Sequence, residues 1–215
     1  MNNIVSKGLT GLVILIVFSL FSCERSIDNI KDYYKYINTL ENGLVKIKNI
    51  GALSFSMKYI PSDFYVYKAL KKQATVSKDS LKEAYGNNVN FILKIAPSED
   101  AETKFDVMTE TVSSLAEFQE QAYTINFDLQ EYIHLKAGEQ EVHPVLVEIE
   151  NVYGLAKHRL VNIVFAKEAI NEAWQSQDKL DLTFNDEIYG TGKHHFIFYK
   201  KDIDNIPQLS LAKQN

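Results

Sequence analysis

Apolar and polar side chains alternate without a break in the segment Leu53–Tyr59, which reads LSFSMKY. Successive side chains of a β-strand point to opposite faces of the sheet, so this alternation places the four apolar side chains on one face. A strand with one apolar and one polar face is typical of an antiparallel sheet that covers a core on one side and meets water on the other. The segment therefore predicts an antiparallel strand with one buried face.

The same two-residue period recurs along much of the chain. It is present at residues 89–95 and becomes dense across residues 122–199, where turn residues separate short segments. We predict at least four paired strands within 122–199, including one at 125–129, and a further short strand at 105–111. Turns at intervals of about 8 to 12 residues are typical of an antiparallel sandwich or barrel.

The strand rhythm of residues 122–207 is similar to that of the immunoglobulin-like modules found on many exported lipoproteins. The likeness is one of architecture, because the Cys-Trp-Cys signature of true immunoglobulin domains is absent. The predicted fold class is α+β, mainly antiparallel β. It has an immunoglobulin-like β-sandwich in the C-terminal part and short peripheral helices.

Short helices are predicted near residues 27–40, 63–73, 78–85 and 168–176. The first of them has an apolar stripe at spacings of three and four residues, formed by Ile27, Ile30, Tyr33, Tyr34, Ile37 and Leu40. Asn42-Gly43 ends this helix, since glycine adopts the left-handed conformation of a helix cap at little cost. Amphipathic helices usually cover the core of their own protein, and a membrane surface or a partner are the alternatives for this stripe.

The N-terminal segment Met1–Ser22 has one charged residue, Lys7, followed by the apolar run Leu12–Phe18. Cys23, the single cysteine of the chain, comes directly after it. A positive region, a short apolar region and a final small residue are typical of a secretory signal. A transmembrane helix needs about 20 apolar residues, more than this run provides. The other alternative is a soluble secreted protein, which leaves an unpaired thiol without a purpose.

The sequence Leu20-Phe21-Ser22-Cys23 resembles the lipobox of bacterial lipoproteins. The resemblance implies that the chain is cut before Cys23, that lipids are attached to this residue, and that they hold the protein to a bacterial membrane. Glu24 stands in place of the Asp that retains some lipoproteins at the inner membrane, so the resemblance favours the outer membrane. The predicted parts are a signal peptide (1–22), a tether and amphipathic helix (23–43), a mixed α/β part (44–121) and a β-sandwich-like part (122–215), the last two of which can form one domain.

The overall charge is mildly acidic. The formal net charge is -5, and it becomes -6 when Lys7 leaves with the signal peptide. Proteins that bind nucleic acid usually present a clustered basic face, whereas Lys71-Lys72 and Lys200-Lys201 are isolated pairs. We therefore expect no nucleic-acid partner.

The motifs of several enzyme classes are absent. The chain has no Gly-x-Ser-x-Gly elbow, no phosphate-binding loop and no His-Glu-x-x-His motif. The segment Gly190–Gly192 is predicted to be a hairpin turn. His194 and His195 are adjacent on a predicted strand and point to opposite faces, so one of them with Asp186 or Glu187 is the remaining alternative for a metal site. We expect no metal ion and no cofactor.

Two acidic residues, Glu148 and Glu150, lie on one face of a predicted strand. Their spacing falls near the separation of about 5 to 9 Å that glycosidases use, but most half-exposed strands carry such a pair. The alternative function is therefore a carboxylate- or His-dependent extracytoplasmic hydrolase. It requires that at least two of the following meet in one concave site: Glu148, Glu150, Asp186, Glu187 and His194.

Three aromatic residues, Tyr153, Trp174 and Tyr189, are predicted at the ends of loops or helices near polar side chains. Aromatic rings with a few directed hydrogen bonds are typical of glycan and peptide sites, and the alternative is that these rings cap the ends of the sandwich. We expect a lipid-anchored envelope lipoprotein that acts as a non-catalytic binding or accessory module. It would contact an envelope protein or glycan through a sandwich edge or a loop end, with these three residues as candidate binding residues.

Overall fold

A computed structural model of the chain describes residues 25–72, 76–102, 104–150 and 156–210. The strands are β1 (Ser26–Ile27), β2 (Val45–Ile50), β3 (Leu53–Ile60), β4 (Asn88–Pro97), β5 (Ile133–Ala137), β6 (Gln140–Val142), β7 (Leu146–Ile149), β8 (Arg159–Ala166), β9 (Lys179–Asp186), β10 (Gly192–Tyr199) and β11 (Gln208–Leu209). The α-helices are α1 (Ile30–Asn38), α2 (Ser62–Lys72), α3 (Lys78–Gly86), α4 (Leu115–Tyr123), α5 (Asn171–Ser176) and α6 (Lys200–Asp204). Shorter helical turns are the 3₁₀ turns Leu40–Asn42, Leu129–Tyr132 and Lys167–Ile170 and the π-helical turn Thr124–Asp128.

The strands form two open antiparallel sheets and one short parallel pair. The larger sheet has the order β2-β3-β4-β8-β7, and the smaller sheet has the order β10-β9-β5-β6. The parallel pair joins β1 to β11. The described fold is therefore mixed, with mostly antiparallel sheet and short helices, as predicted.

The buried faces of the two sheets share one core. The alternating segment Leu53–Tyr59 is β3, and its apolar side chains are buried as the period of two requires. The Phe55 ring lies 5.9 Å from the ring of Phe184 in β9, and the Phe91 ring of β4 lies 5.1 Å from that of Phe198 in β10. Aromatic contacts between the larger and the smaller sheet therefore hold the centre of the molecule.

Strands from residues 122–199 are divided between the two sheets. Six strands, β5 to β10, lie in this region and are paired, so the prediction of at least four is confirmed. However, β8 pairs with β4 from the preceding part of the chain, and β7 extends that same sheet. Because β8 pairs with a strand from outside 122–215 and the strands of this region are split between two sheets, an immunoglobulin-like sandwich of the C-terminal part is not confirmed.

The four predicted helices are present as α1, α2, α3 and α5. Tyr33 and Ile37 of α1 are fully buried in the common core, so its apolar stripe covers the protein's own interior. Tyr34, one position further round the helix, remains exposed. Gly43 has the predicted left-handed conformation (φ 74°), but it caps the 3₁₀ turn Leu40–Asn42, and α1 itself ends earlier, at Asn38.

Two predicted strands are wrong. Residues 125–129 belong to the π-helical turn and the start of the next 3₁₀ turn. Ile125 and Leu129 are buried while Phe127 between them is exposed, so the burial has the four-residue spacing of a helix. In the sequence alone, three apolar residues at alternate positions also fit the period of a strand. Residues 105–111 form a turn, in which Asp106 Oδ1 accepts a hydrogen bond from the Met108 N–H.

Candidate functional site

Among the described residues, the binding candidates predicted from sequence are not brought into one site. Cys23 and Tyr153 lie outside the described residues. Trp174 is half-buried on α5, just before β9, with the Lys167 Nζ 5.3 Å from its ring centre. Tyr189 follows the other end of β9, a strand of eight residues and so roughly 25 Å long. Trp174 and Tyr189 therefore belong to different ends of the molecule.

Tyr189 packs into the interior. Its ring lies 6.4 Å from the ring of Phe55, and its hydroxyl is buried. This burial, reinforced by the nearby Asp186, raises the pKa of the Tyr189 hydroxyl well above its usual value. The hydroxyl therefore stays protonated, and the half-buried ring of Tyr189 packs against the core.

Asp186 organises the turn between β9 and β10. Its carboxylate accepts hydrogen bonds from the backbone N–H groups of Tyr189 (3.0 Å) and Thr191 (3.1 Å) and from the Thr191 hydroxyl. His194 Nε2 lies 2.7 Å from that hydroxyl oxygen. Since the single hydroxyl proton of Thr191 goes to the carboxylate, His194 Nε2 must carry the proton that it donates to Thr191. Gly190 (φ 68°) supplies the left-handed backbone of the turn.

This Asp186–Thr191–His194 network is enclosed. Asp186 is 1% exposed and His194 is 3% exposed, and the His194 ring stacks on Phe55 at 4.9 Å. Asp186 and His194, two of the five residues of the hydrolase hypothesis, are thus close together. They are joined only through the Thr191 hydroxyl and are buried beneath the turn. The arrangement explains how the polar groups of the turn are satisfied, and it offers a substrate no open face.

Stability is expected to fall in mild acid through His194. Burial lowers the pKa of the His194 imidazole, so below about pH 6.5 the unfolded chain binds a proton that the folded chain does not. The stabilisation is present above that pH and is lost as the pH falls further. Urea unfolding at pH 7.5 and pH 5 should show a smaller loss for His194→Gln, whose amide nitrogen can still donate to Thr191. An equal loss in the variant and the wild type would contradict this assignment.

The other acidic candidates are separate. Glu148 and Glu150 are exposed at the β7 edge, and Glu187 is exposed beside Asn185, whose amide donates to it at 2.9 Å. Within the described ranges, no group of three or more His, Cys, Asp or Glu side chains is placed to hold a metal ion.

A cleft of about 350 Å³ lies between α4 and the turn after β9. Its wall is formed by Thr111, Val112, Glu117, Glu120, Gln121, Thr124, Tyr132, Glu187 and Ile188. Glu117 is already engaged, because its carboxylate accepts the Ser113 N–H at 2.7 Å and the Ser113 hydroxyl. These bonds lower the pKa of the Glu117 carboxyl. Glu117, Glu120 and Glu187 make the wall of the cleft acidic.

Exposed apolar side chains lie along α4, the π-helical turn and the start of β7. We call this region the α4–β7 surface and define it by Leu115, Tyr123, Phe127, Val145 and Leu146. These are five of the nine large apolar side chains that are exposed in the described part of the chain, and Phe127 is 67% exposed. The rings of Tyr123 and Phe127 are in contact, with centres 5.1 Å apart, and β7 lies beside the π-helical turn. Grouped apolar exposure of this kind marks interaction surfaces.

One border of this surface is an edge strand. Among the described strands, β7 pairs only with β8. The Glu150 N–H donates to the Leu160 carbonyl at 2.8 Å. Inward and outward N–H groups alternate along an antiparallel strand, so the N–H groups of Ile149 and Val147 point to the free edge. The edge can therefore hydrogen-bond to another strand.

Sequence analysis missed the α4–β7 surface. Phe127 was assigned to a strand, where it would share a face with Ile125 and Leu129. The consecutive apolar residues Val145 and Leu146 break the two-residue period after Pro144, and that irregularity is the signal that could have identified them as exposed.

Comparison with known proteins adds little. No known family model matches the chain, and no curated protein does. A crystal structure of a protein of unknown function from Burkholderia pseudomallei is similar to it with a TM-score of 0.38 and 9% identity, over 82% of this chain and 86% of that one. Likeness at this level carries no argument about function. None of the helices in the described residues is long and apolar enough to cross a membrane.

Proposed function

We propose that the protein is a lipid-anchored envelope lipoprotein, placed at the outer membrane, that acts as a non-catalytic binding module for another envelope protein. The observation that supports binding is the α4–β7 surface, where exposed apolar side chains border a free strand edge. The anchor rests on the lipobox-like Leu20–Cys23.

The proposed partner binds in an extended conformation. A segment that adds to β7 would gain backbone hydrogen bonds from the outward groups of Val147 and Ile149, and its side chains would reach Tyr123 and Phe127. Glu148 and Glu150 are exposed on this strand and its continuation, so a segment that carries basic residues would be favoured. Peptide addition to an edge supplies affinity through the backbone, while the aromatic pair supplies selectivity.

Site-specific photocrosslinking in cells tests this proposal. A benzoylphenylalanine replacing Phe127 should join the chain to a protein of one defined mass, and the same group at Ile47 should not. Ile47 is the matched control because it is 50% exposed on β2, which forms the edge of the larger sheet opposite β7. Tyr123→Ala should reduce the crosslink from position 127 by about tenfold if the ring contributes a hot-spot contact.

The strand edge is tested separately with Val147→Pro. Proline removes the outward N–H and leaves the hydrogen bonds to β8 in place, whereas Val147→Ala loses similar packing but keeps the N–H. We expect the crosslink to vanish in the proline variant and to persist in the alanine variant. Equal crosslinking at positions 127 and 47, or a crosslink that survives Val147→Pro, would refute the proposed surface.

A further inference from the structure

The folded body begins almost immediately after the proposed anchor. Cys23 is two positions before Arg25, so their Cα atoms can be no more than about 7 Å apart. The Arg25 carbonyl accepts a hydrogen bond from the Gln208 N–H at 2.8 Å, and the Ile27 carbonyl accepts one from the Ser210 N–H at 2.9 Å. Lipids on Cys23 would therefore hold this end of the folded body against the bilayer.

Hydrogen bonds connect this end to the neighbouring helices. The Leu209 N–H of β11 donates to the Asp63 carboxylate in the first turn of α2 at 3.2 Å. Asn29 caps α1 by accepting the Lys31 N–H at 2.8 Å. The β1–β11 pair is thus hydrogen-bonded to the start of α2, and α1 follows β1 after a short turn.

This end carries the exposed ring of Tyr34 and the half-buried rings of Phe64 and Tyr67, with lysines beside them. Tyr34 of α1 is 52% exposed, and its ring lies 6.2 Å from that of Phe64 in α2. The Lys68 Nζ lies 5.7 Å from the centre of the Phe64 ring, and the Lys71 Nζ lies 5.8 Å from that of Tyr67. Tyrosine rings at headgroup level, with lysines that extend toward the lipid phosphates, are typical of membrane interfaces.

The two segments that form this end carry more basic than acidic residues. Six basic residues in the segments 25–38 and 62–72 outnumber three acidic ones, although the whole chain has a net charge of -5. The basic residues are Arg25, Lys31, Lys35, Lys68, Lys71 and Lys72, and the acidic residues are Asp28, Asp32 and Asp63. A locally basic face on an acidic protein is attracted to anionic headgroups and not to neutral ones.

We infer that α1 and α2 form a membrane-contacting face, defined by Tyr34, Phe64, Tyr67 and these six basic residues, which rests on the anionic phospholipid headgroups of the leaflet that holds the lipids on Cys23. The inference depends on the proposed anchor for its location. It adds that the protein is seated in one orientation on the bilayer. The α4–β7 surface borders β7, three strands away from the β3 strand that α1 contacts, and remains available to a partner.

The single cysteine allows a direct test. The chain from Cys23 to Asn215 is coupled through its thiol to vesicles that carry a maleimide lipid, with brominated phosphatidylcholine and phosphatidylglycerol as quenchers. Trp174→Phe removes the only native tryptophan, and a new tryptophan is placed by Tyr34→Trp or, as the matched exposed control, by Phe127→Trp. We expect brominated lipid to reduce the fluorescence at position 34 by about half, as for a ring at headgroup depth, and to leave position 127 unchanged.

The charge contribution is tested on the same vesicles. Lys68→Glu/Lys71→Glu, or vesicles without phosphatidylglycerol, should reduce the quenching at position 34 severalfold. The inference would be overturned by equal quenching at both positions or by no quenching at position 34. It would also be overturned if quenching at position 34 did not change with the lysine substitutions or with the removal of phosphatidylglycerol. Because the maleimide replaces the natural lipids, this result is independent of whether Cys23 is lipidated in cells, which palmitate labelling decides.

Discussion

Replacing Cys23 with serine is expected to abolish lipid attachment completely and to release the protein from the membrane. Cys23 is the only thiol in the chain, so no other residue can take its place as the acceptor of lipid. Each buried methylene group contributes about 0.8 kcal/mol, so two or three acyl chains contribute far more than one protein face at the headgroups can. Radiolabelled palmitate incorporation and membrane fractionation measure the effect.

Ser22→Ala is the matched control for this prediction. It changes the neighbouring residue but keeps a small side chain before the proposed cut, so labelling should persist. A Cys23→Ser protein that remains labelled would contradict the anchor, as would a wild-type protein found wholly in the soluble fraction. Either result would remove the lipid attachment from the proposed function and leave the α4–β7 surface to be judged by crosslinking.

The strand content could be predicted because the period of two survives in the sequence wherever one face is buried. In β3, Phe55 and Met57 are buried and the intervening Ser56 is not, and the pattern identifies both faces of the strand. Helix α1 was similarly predictable, since Tyr33 and Ile37 are one turn apart on the buried side. In both cases the local spacing and the tertiary burial agree.

The pairing of the strands could not be predicted. Nothing in β8 itself specifies that β4, some seventy residues earlier, lies beside it, because a buried strand shows the same pattern with any apolar neighbour. The interpretation of the C-terminal part as a separate sandwich therefore failed at the level of topology, not of secondary structure.

Local and long-range contacts also differ in how far they could be predicted for the polar residues. The bonds of Asp186 to Thr191 are local to the turn between β9 and β10, whereas the burial of His194 depends on its contact with Phe55 of β3. Tyr189 was proposed as a binding residue, and its half-buried ring lies against Phe55. Exposure is decided by which sheet covers a residue, and that information is not local.

The largest loss of folding stability is expected from Phe91→Ala. Phe91 is fully buried in β4, and its ring lies 5.6 Å from Tyr59, 6.1 Å from Phe165 and 5.1 Å from Phe198. Truncation leaves a cavity at the contact between the two sheets, and Phe-to-Ala changes in cores cost about 3–5 kcal/mol. For a chain of this size, thermal unfolding should move down by roughly 10 °C. Urea and thermal unfolding measure both quantities.

Phe127→Ala makes the same chemical change at an exposed site and is the matched control. Its ring is 67% exposed and contacts Tyr123, so its removal leaves no cavity in the core. The free energy of unfolding should change by less than about 0.5 kcal/mol. Similar losses in both variants would contradict a core shared by the two sheets. A large loss for Phe91→Ala alone would locate the stability where the sheets meet and would show that the fold does not depend on the Phe127 ring.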